Sequence, residues 1–178
     1  MKSLVVYYSF TSNNASLAVC LSKCINCERF RIETVKSRNG LSIFLDVFFH
    51  RKPLVKSIPV CLGNYDHVIF VAPIWAGKIA TPLASFMIKE KQMIGQYSFI
   101  SLCGGREGQW EKVEAELAEI MSKKPLAHVQ LSVADVPTAF QDGKKKAMVR
   151  VVDSPGLHAW FDKQLREFMR MFAFAKSV

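Results

Sequence analysis

Leu4-Val5-Val6-Tyr7-Tyr8 runs directly into Ser9-Phe10-Thr11-Ser12-Asn13-Asn14-Ala15. Five consecutive apolar or aromatic residues, rich in β-formers, predict a strand buried on both faces. The next six residues carry small hydroxyl and amide groups. From Ala15 the period changes, and Leu17, Ala18, Leu21 and Cys24 fall on one helical face. A buried strand, a polar turn and a helix start together aim backbone N–H groups and a helix dipole at an anion. Ser12 or Asn13 acting as an ordinary helix cap is the competing reading of the same turn.

Working outward, the rest of the chain repeats this alternation. Glu28 to Val35 alternates charged and apolar residues, as a half-exposed edge strand does. Asn39-Gly40 marks a turn, and Leu41 to His50 predicts a short apolar helix stopped before Pro53. His67-Val68-Ile69-Phe70-Val71-Ala72 is a second fully buried strand, ended by Pro73. Ile74 to Lys78 predicts a loop, and Thr81-Pro82 opens a helix through Glu90. Tyr97 to Cys103 predicts a strand followed by Gly104-Gly105. Gln109 to Lys123 is an amphipathic helix with Trp110, Val113, Leu117, Ile120 and Met121 on its apolar side. His128 to Val133 is the last strand. Ala134 to Arg150 has no clear period and predicts a long excursion. Ser154-Pro155 starts the final helix, carrying Leu157, Trp160, Phe161, Leu165, Phe168 and Phe172.

Strands alternating with helices across short connections specify one α/β domain over residues 1–178. It is three-layered and doubly wound, with right-handed crossovers. Five strands with a half-polar second one fit a parallel sheet of order 2-1-3-4-5, which binds ligands outside the carboxyl ends at its switch point. The loops of interest are therefore Ser9–Asn14, Pro73–Lys78 and Gly104–Trp110.

Those loops carry a resemblance. The chain resembles the flavodoxin-like family of FMN-binding proteins over nearly its whole length. The family's first loop reads Ser/Thr-x-Thr-Gly-Asn-Thr around the FMN phosphate. Ser9, Thr11 and Asn13 match it, Phe10 stands at the free position, Ser12 replaces the glycine and Asn14 the last threonine. Pro73-Ile74-Trp75-Ala76-Gly77 resembles the loop that sets an aromatic ring beside the isoalloxazine. Cys103-Gly104-Gly105 resembles the loop whose backbone meets the flavin's pyrimidine edge. The resemblance implies FMN as cofactor and electron transfer or oxidoreduction as activity, with a redox partner or small-molecule acceptor. The alternative is an interaction module of the same shape that has lost its flavin, with Ser12 crowding the phosphate.

The chemistry of the residues agrees. A phosphate monoester wants many oriented donors, which a Ser/Thr/Asn turn at a helix start supplies. Trp75 offers a flat stacking face and competes with a core reading; Gly104-Gly105 permits close approach and competes with a plain turn. Lys78 and Arg106 sit in flavin-side loops, where positive charge favours a reduced anionic ring. No side chain reads as an acid–base catalyst, and structural roles are expected for His50, His67, His128 and His158.

A net charge of +9 and a pI near 9.4 favour acidic partners. They also set the chain apart from flavodoxin-type carriers, which are acidic around the flavin, and favour an oxidoreductase using NAD(P)H or a quinone. The basic residues are scattered, and Lys144-Lys145-Lys146 reads as a solvated loop, so nucleic-acid binding is not expected. No apolar run reaches the roughly 20 residues of a membrane span. A cytoplasmic location is expected, with five reduced cysteines. Oligomeric state stays open. Cys20, Cys24 and Cys27 have the CxxxCxxC spacing of radical-SAM enzymes, but they begin on a helix, where thiols serve as small hydrophobes. A phospho-accepting receiver, which shares the strand order, needs an Asp where Pro73-Ile74-Trp75 stands. No metal site is expected.

Overall fold

In a computed structural model, residues 1–49, 51–105, 108–142, 150–151 and 154–174 are described. Five parallel strands form the sheet: β1 (Ser3–Tyr7), β2 (Glu28–Arg31), β3 (His67–Val71), β4 (Gln96–Cys103) and β5 (His128–Ser132), in the order β2-β1-β3-β4-β5. The helices are α1 (Asn13–Cys24), α2 (Gly40–Phe48), α3 (Thr81–Glu90), α4 (Gln109–Met121) and α5 (Pro155–Phe174). The expected architecture and strand order are those observed.

Central strands are mostly apolar because both faces are covered, with His67, Ser98 and Ser101 as buried polar exceptions. Val68 and Phe70 of β3 face one core with Leu83 and Phe86 of α3 and Leu117 of α4. Ile69 and Val71 face the other with Leu17 and Leu21 of α1 and Phe161 and Phe168 of α5. Every β3 residue is buried, and burying a side chain such as Phe70 stabilises by about 1.5–3 kcal/mol. At the edge, β2 is four residues long, shorter than its alternating sequence predicts, and exposes Glu28, Arg29 and Arg31. Beyond it the chain pairs locally, Thr34 bridging Val55 in antiparallel fashion.

Asn39 caps α2 reciprocally with Ser42, its Oδ1 accepting from the Ser42 N–H at 2.8 Å while the Ser42 hydroxyl faces the Asn39 N–H at 3.0 Å. Two expectations are corrected. The Ile74–Lys78 segment is not an irregular loop: Ile74–Trp75 pairs antiparallel with Lys78–Ile79. Ala76 and Gly77 make the turn, with φ of 50° and 80°, as a two-residue hairpin turn requires. Trp110 is not a core residue: it is 45% exposed and stacks on His128 at 5.0 Å between ring centroids. Within the Ala134–Arg150 excursion, Gln141–Asp142 pairs with Arg150–Val151. Lys144 to Lys146, Arg106, His50 and the Phe172 side chain lie outside what is described. Among the described residues no helix is long and apolar enough to cross a membrane.

Candidate functional site

All five strands are parallel, so the loops after β1, β3 and β4 emerge at one edge. β4 outruns its neighbour there. The β3–β4 register ends at Val71 opposite Ile100, leaving Leu102 and Cys103 beyond the end of β3. Asn14, in the first turn of α1, fills that place. Its Nδ2 donates to the Leu102 carbonyl and its Oδ1 accepts from the Leu102 N–H, both at 2.9 Å, with the side chain buried. The first and third loops are thereby joined. The first and second loops meet through Tyr8 and Trp75, whose rings sit edge to face at 5.7 Å.

The first loop has the shape its sequence suggests, with one strained position. Ser12 has φ 72°, in the left-handed region, and its side chain makes no capping bond. A glycine takes that conformation without cost, whereas an L side chain pays roughly 1–2 kcal/mol. The first helical bond runs from Ser16 N–H to Ser12 C=O at 3.0 Å. The amides of the first turn therefore have no helical carbonyl behind them, and no acidic side chain lies in that turn. Ser9 is buried, and its hydroxyl is a buried polar group with no partner among the described residues. Phe10 is exposed and Thr11 half-buried. Asn13 is buried, its Oδ1 accepting from the Val151 N–H at 3.1 Å.

For the two asparagines the sequence reading misses part of the role. Both side-chain polar atoms of Asn14 bond the β4 backbone, which commits its amide group to the sheet. No local signal announces this, because the partner lies 88 residues on.

In the second loop Pro73 accepts from the Ala80 N–H at 3.1 Å, closing the hairpin. Ile74 and Trp75 are half-buried against the core, whereas Ala76 is exposed at the turn and Gly77 half-exposed. Glu116 of α4 fixes the returning strand: its Oε2 accepts from the Ile79 N–H at 2.8 Å. Burial pushes that carboxyl above its ordinary range, against the opposing pull of the Ile79 bond. A cavity of ≈ 680 Å³ lies beneath this hairpin between α3, α4 and the end of α2, lined by Arg51, Lys52, Gly77, Lys78, Lys112 and Glu116 among others. None of the first-loop or third-loop residues lines it.

Cys103 is buried at the head of the third loop, and Gly104 and Gly105 are exposed. A Cβ added at Gly104 would meet nothing within 4 Å, so a planar group could lie against its backbone. Gln109 anchors the far end of the loop, its Nε2 donating to Cys103 Sγ at 3.5 Å and to Gln130 Oε1 at 2.8 Å. Gln130 in turn lies 3.0 Å from His128 Nε2, which ties the loop to β5.

A second cavity, of ≈ 390 Å³, flanks the first loop on the β2 side, lined by Tyr8, Ser9, Phe10, Arg31 and Arg38 among others. Arg38 Nη1 lies 2.8 Å from Asp46 Oδ2, holding α2 against this edge as a largely buried ion pair. Burial raises the Tyr8 phenol, and the Arg38 and Arg31 guanidiniums pull it back down. His67 is buried at the opposite end of β3, its Nε2 2.9 Å from Ser98 Oγ. Cys20 is buried within the α1–α5 core, and Cys24 donates to Asp162 Oδ1 at 3.0 Å.

No protein-family model matches this chain, and no curated protein does. Solved structures do. A flavoprotein in complex with FMN from Lactobacillus acidophilus NCFM superposes with a TM-score of 0.63 at 16% identity, over 72% of this chain and 92% of that one. A flavodoxin, WrbA-like protein from Agrobacterium tumefaciens gives 0.53 at 12% identity, over 99% and 98%. Oxidised flavodoxin 1 from Bacillus cereus gives 0.51 at 14% identity, over 96% and 98%. The fold of this chain is flavodoxin-like.

Proposed function

We propose that the protein is a single-domain FMN flavoprotein of electron transfer or oxidoreduction, holding its flavin at the carboxyl ends of β1, β3 and β4. The observation that carries this reading is the buried, unpartnered Ser9 hydroxyl in a loop that ends at an uncompensated helix start. A buried polar group without a partner costs about 1–3 kcal/mol, which a phosphate oxygen accepting from Ser9 would offset. Thr11 and the first amides of α1 would complete the phosphate cradle. Trp75 would flank the ring, and the backbone at Cys103, Gly104 and Gly105 would meet its edge. Of the neighbours in fold, the Lactobacillus acidophilus protein is a complex with FMN, which supports the same reading.

When bound, the flavin supplies one- and two-electron chemistry. The chain's own residues bind and orient it, and none is assigned as an acid or base. The positive charge favours an oxidoreductase with NAD(P)H or a quinone over a carrier docking on basic partners. Expected partners are a redox protein or a small-molecule acceptor, in the cytoplasm.

The test is an FMN titration of the purified protein, followed by quenching of flavin and tryptophan fluorescence. Binding that weakens about tenfold to a hundredfold in Trp75→Ala, from a lost stacking contact, supports the site. Thr11→Ala should weaken FMN but leave riboflavin, which lacks the phosphate, unaffected. No binding at high micromolar FMN would leave the flavin-free interaction module as the reading.

A further inference from the structure

Among the described residues, eleven large apolar side chains stand exposed, and six of them fall between positions 35 and 54. They are Val35, Leu41, Phe44, Phe48, Phe49 and Leu54. Positions 41, 44 and 48 share the outward stripe of α2. Phe44 and Phe48 stack at 5.9 Å, and Phe48 meets Phe49 edge-on at 5.0 Å. Val35 joins Leu54 through a backbone hydrogen bond of 3.0 Å. Phe44, Phe48 and Leu54 are 61%, 65% and 78% exposed, a density of apolar groups that marks an interaction surface.

Charge says what kind. Positions 35 to 60 hold five cations, Lys36, Arg38, Arg51, Lys52 and Lys56, against one acid, Asp46. Arg38 pairs with Asp46, and Lys56 with Glu33 at 2.9 Å. Lys36, Arg51 and Lys52 have no acidic partner among the described residues, and the Arg51 guanidinium lies over the Phe49 ring at 5.3 Å. None of the six apolar side chains lines either cavity described above, whereas Arg51 and Lys52 stand at the rim of the one beneath the hairpin. A protein partner would need a matching concavity. A lipid interface accepts protruding apolar groups of any shape and rewards flanking cations.

We propose that α2 and its flanks form a peripheral docking surface for an anionic bilayer. The aromatic and leucine side chains enter the headgroup boundary, and Lys36, Arg51 and Lys52 rest on lipid phosphates. This docking does not depend on bound flavin.

Sedimentation of the full chain with phosphatidylcholine vesicles, with and without phosphatidylglycerol, tests it. The protein should partition onto the phosphatidylglycerol vesicles at low ionic strength and leave them at high salt. Phe44→Asp and Phe48→Asp should each lower partitioning at least tenfold. Lys52→Glu should lower it about fivefold or more, the value of one cation near an anionic surface. All three positions are exposed, so thermal melts should match the parent chain, and Lys52→Glu tests the proposal if an aromatic variant does not fold. Failure to sediment with phosphatidylglycerol vesicles, or equal binding to both vesicle types, would overturn it. So would a dimer by light scattering that Phe48→Asp dissociates, which would assign the face to a second copy of the chain.

Discussion

The Asn14 side chain and the Leu102 backbone exchange two hydrogen bonds of 2.9 Å at the point where β3 has ended and β4 continues. Asn14 thus substitutes for a missing strand neighbour. Asn14→Ala leaves a buried N–H and C=O without those partners, each worth about 1–3 kcal/mol. We expect a stability loss of about 2–4 kcal/mol by urea denaturation. Asn14→Asp should be nearly as damaging, since a carboxylate cannot donate to the Leu102 carbonyl.

Ser12 occupies a left-handed position with no compensating side-chain bond. Ser12→Gly should remove the strain and raise stability by up to about 1 kcal/mol, part of the gain being returned as unfolded-chain entropy. The melting temperature should rise by about 2–4 °C for a chain of this size. A β-branched Ser12→Val should lower it.

The hairpin turn at Ala76-Gly77 has positive φ at both residues. Ala76→Asn puts a residue tolerant of that region at the first position and should stabilise by about 0.5–1 kcal/mol. Gly77→Ala should cost roughly 1–2 kcal/mol. Thermal melts of the two variants should therefore move in opposite directions.

Glu116 is an acid whose folded pKa is raised, chiefly by burial. Its contribution to stability is full below the unfolded value of about 4.3 and is lost as pH rises through the higher folded value. Glu116→Gln keeps an acceptor for Ile79 and sheds the desolvated charge. Its melting temperature relative to the parent should climb between pH 4 and pH 7. Glu116→Ala orphans the Ile79 N–H and should lose about 1–3 kcal/mol.

His128 has the opposite sign. Burial lowers it from 6.5 to about 4, so it folds as the neutral imidazole. The stability it confers is present above pH 6.5 and is lost as pH falls through about 4. Urea midpoints at pH 7, 5.5 and 4.5 should fall less steeply in His128→Phe, which keeps an aromatic ring under Trp110.

Val5, Ile69 and Phe99 announce their strands because a parallel sheet covered on both faces strongly favours apolar residues at its centre. The strand order fits because the half-polar alternation from Glu28 to Val35 suits a sheet edge. The first turn was legible because small polar residues sat between two clear periods. The hairpin at Ile74–Ile79 was not: each arm is two residues long, too short for alternation, and Ala76 is not a turn residue by composition. Trp110 misleads because helical spacing reports which face a residue is on, not whether that face is covered all the way to the helix end. The bonds of Asn14 and Gln109 are set by tertiary neighbours that no local pattern encodes.

The short edge strand β2 has a consequence for the whole sheet. A strand from another molecule seeking to extend the ladder there would have four residues to pair with and three charged side chains, Glu28, Arg29 and Arg31, to desolvate. That edge of the sheet is thereby guarded against strand addition from another molecule.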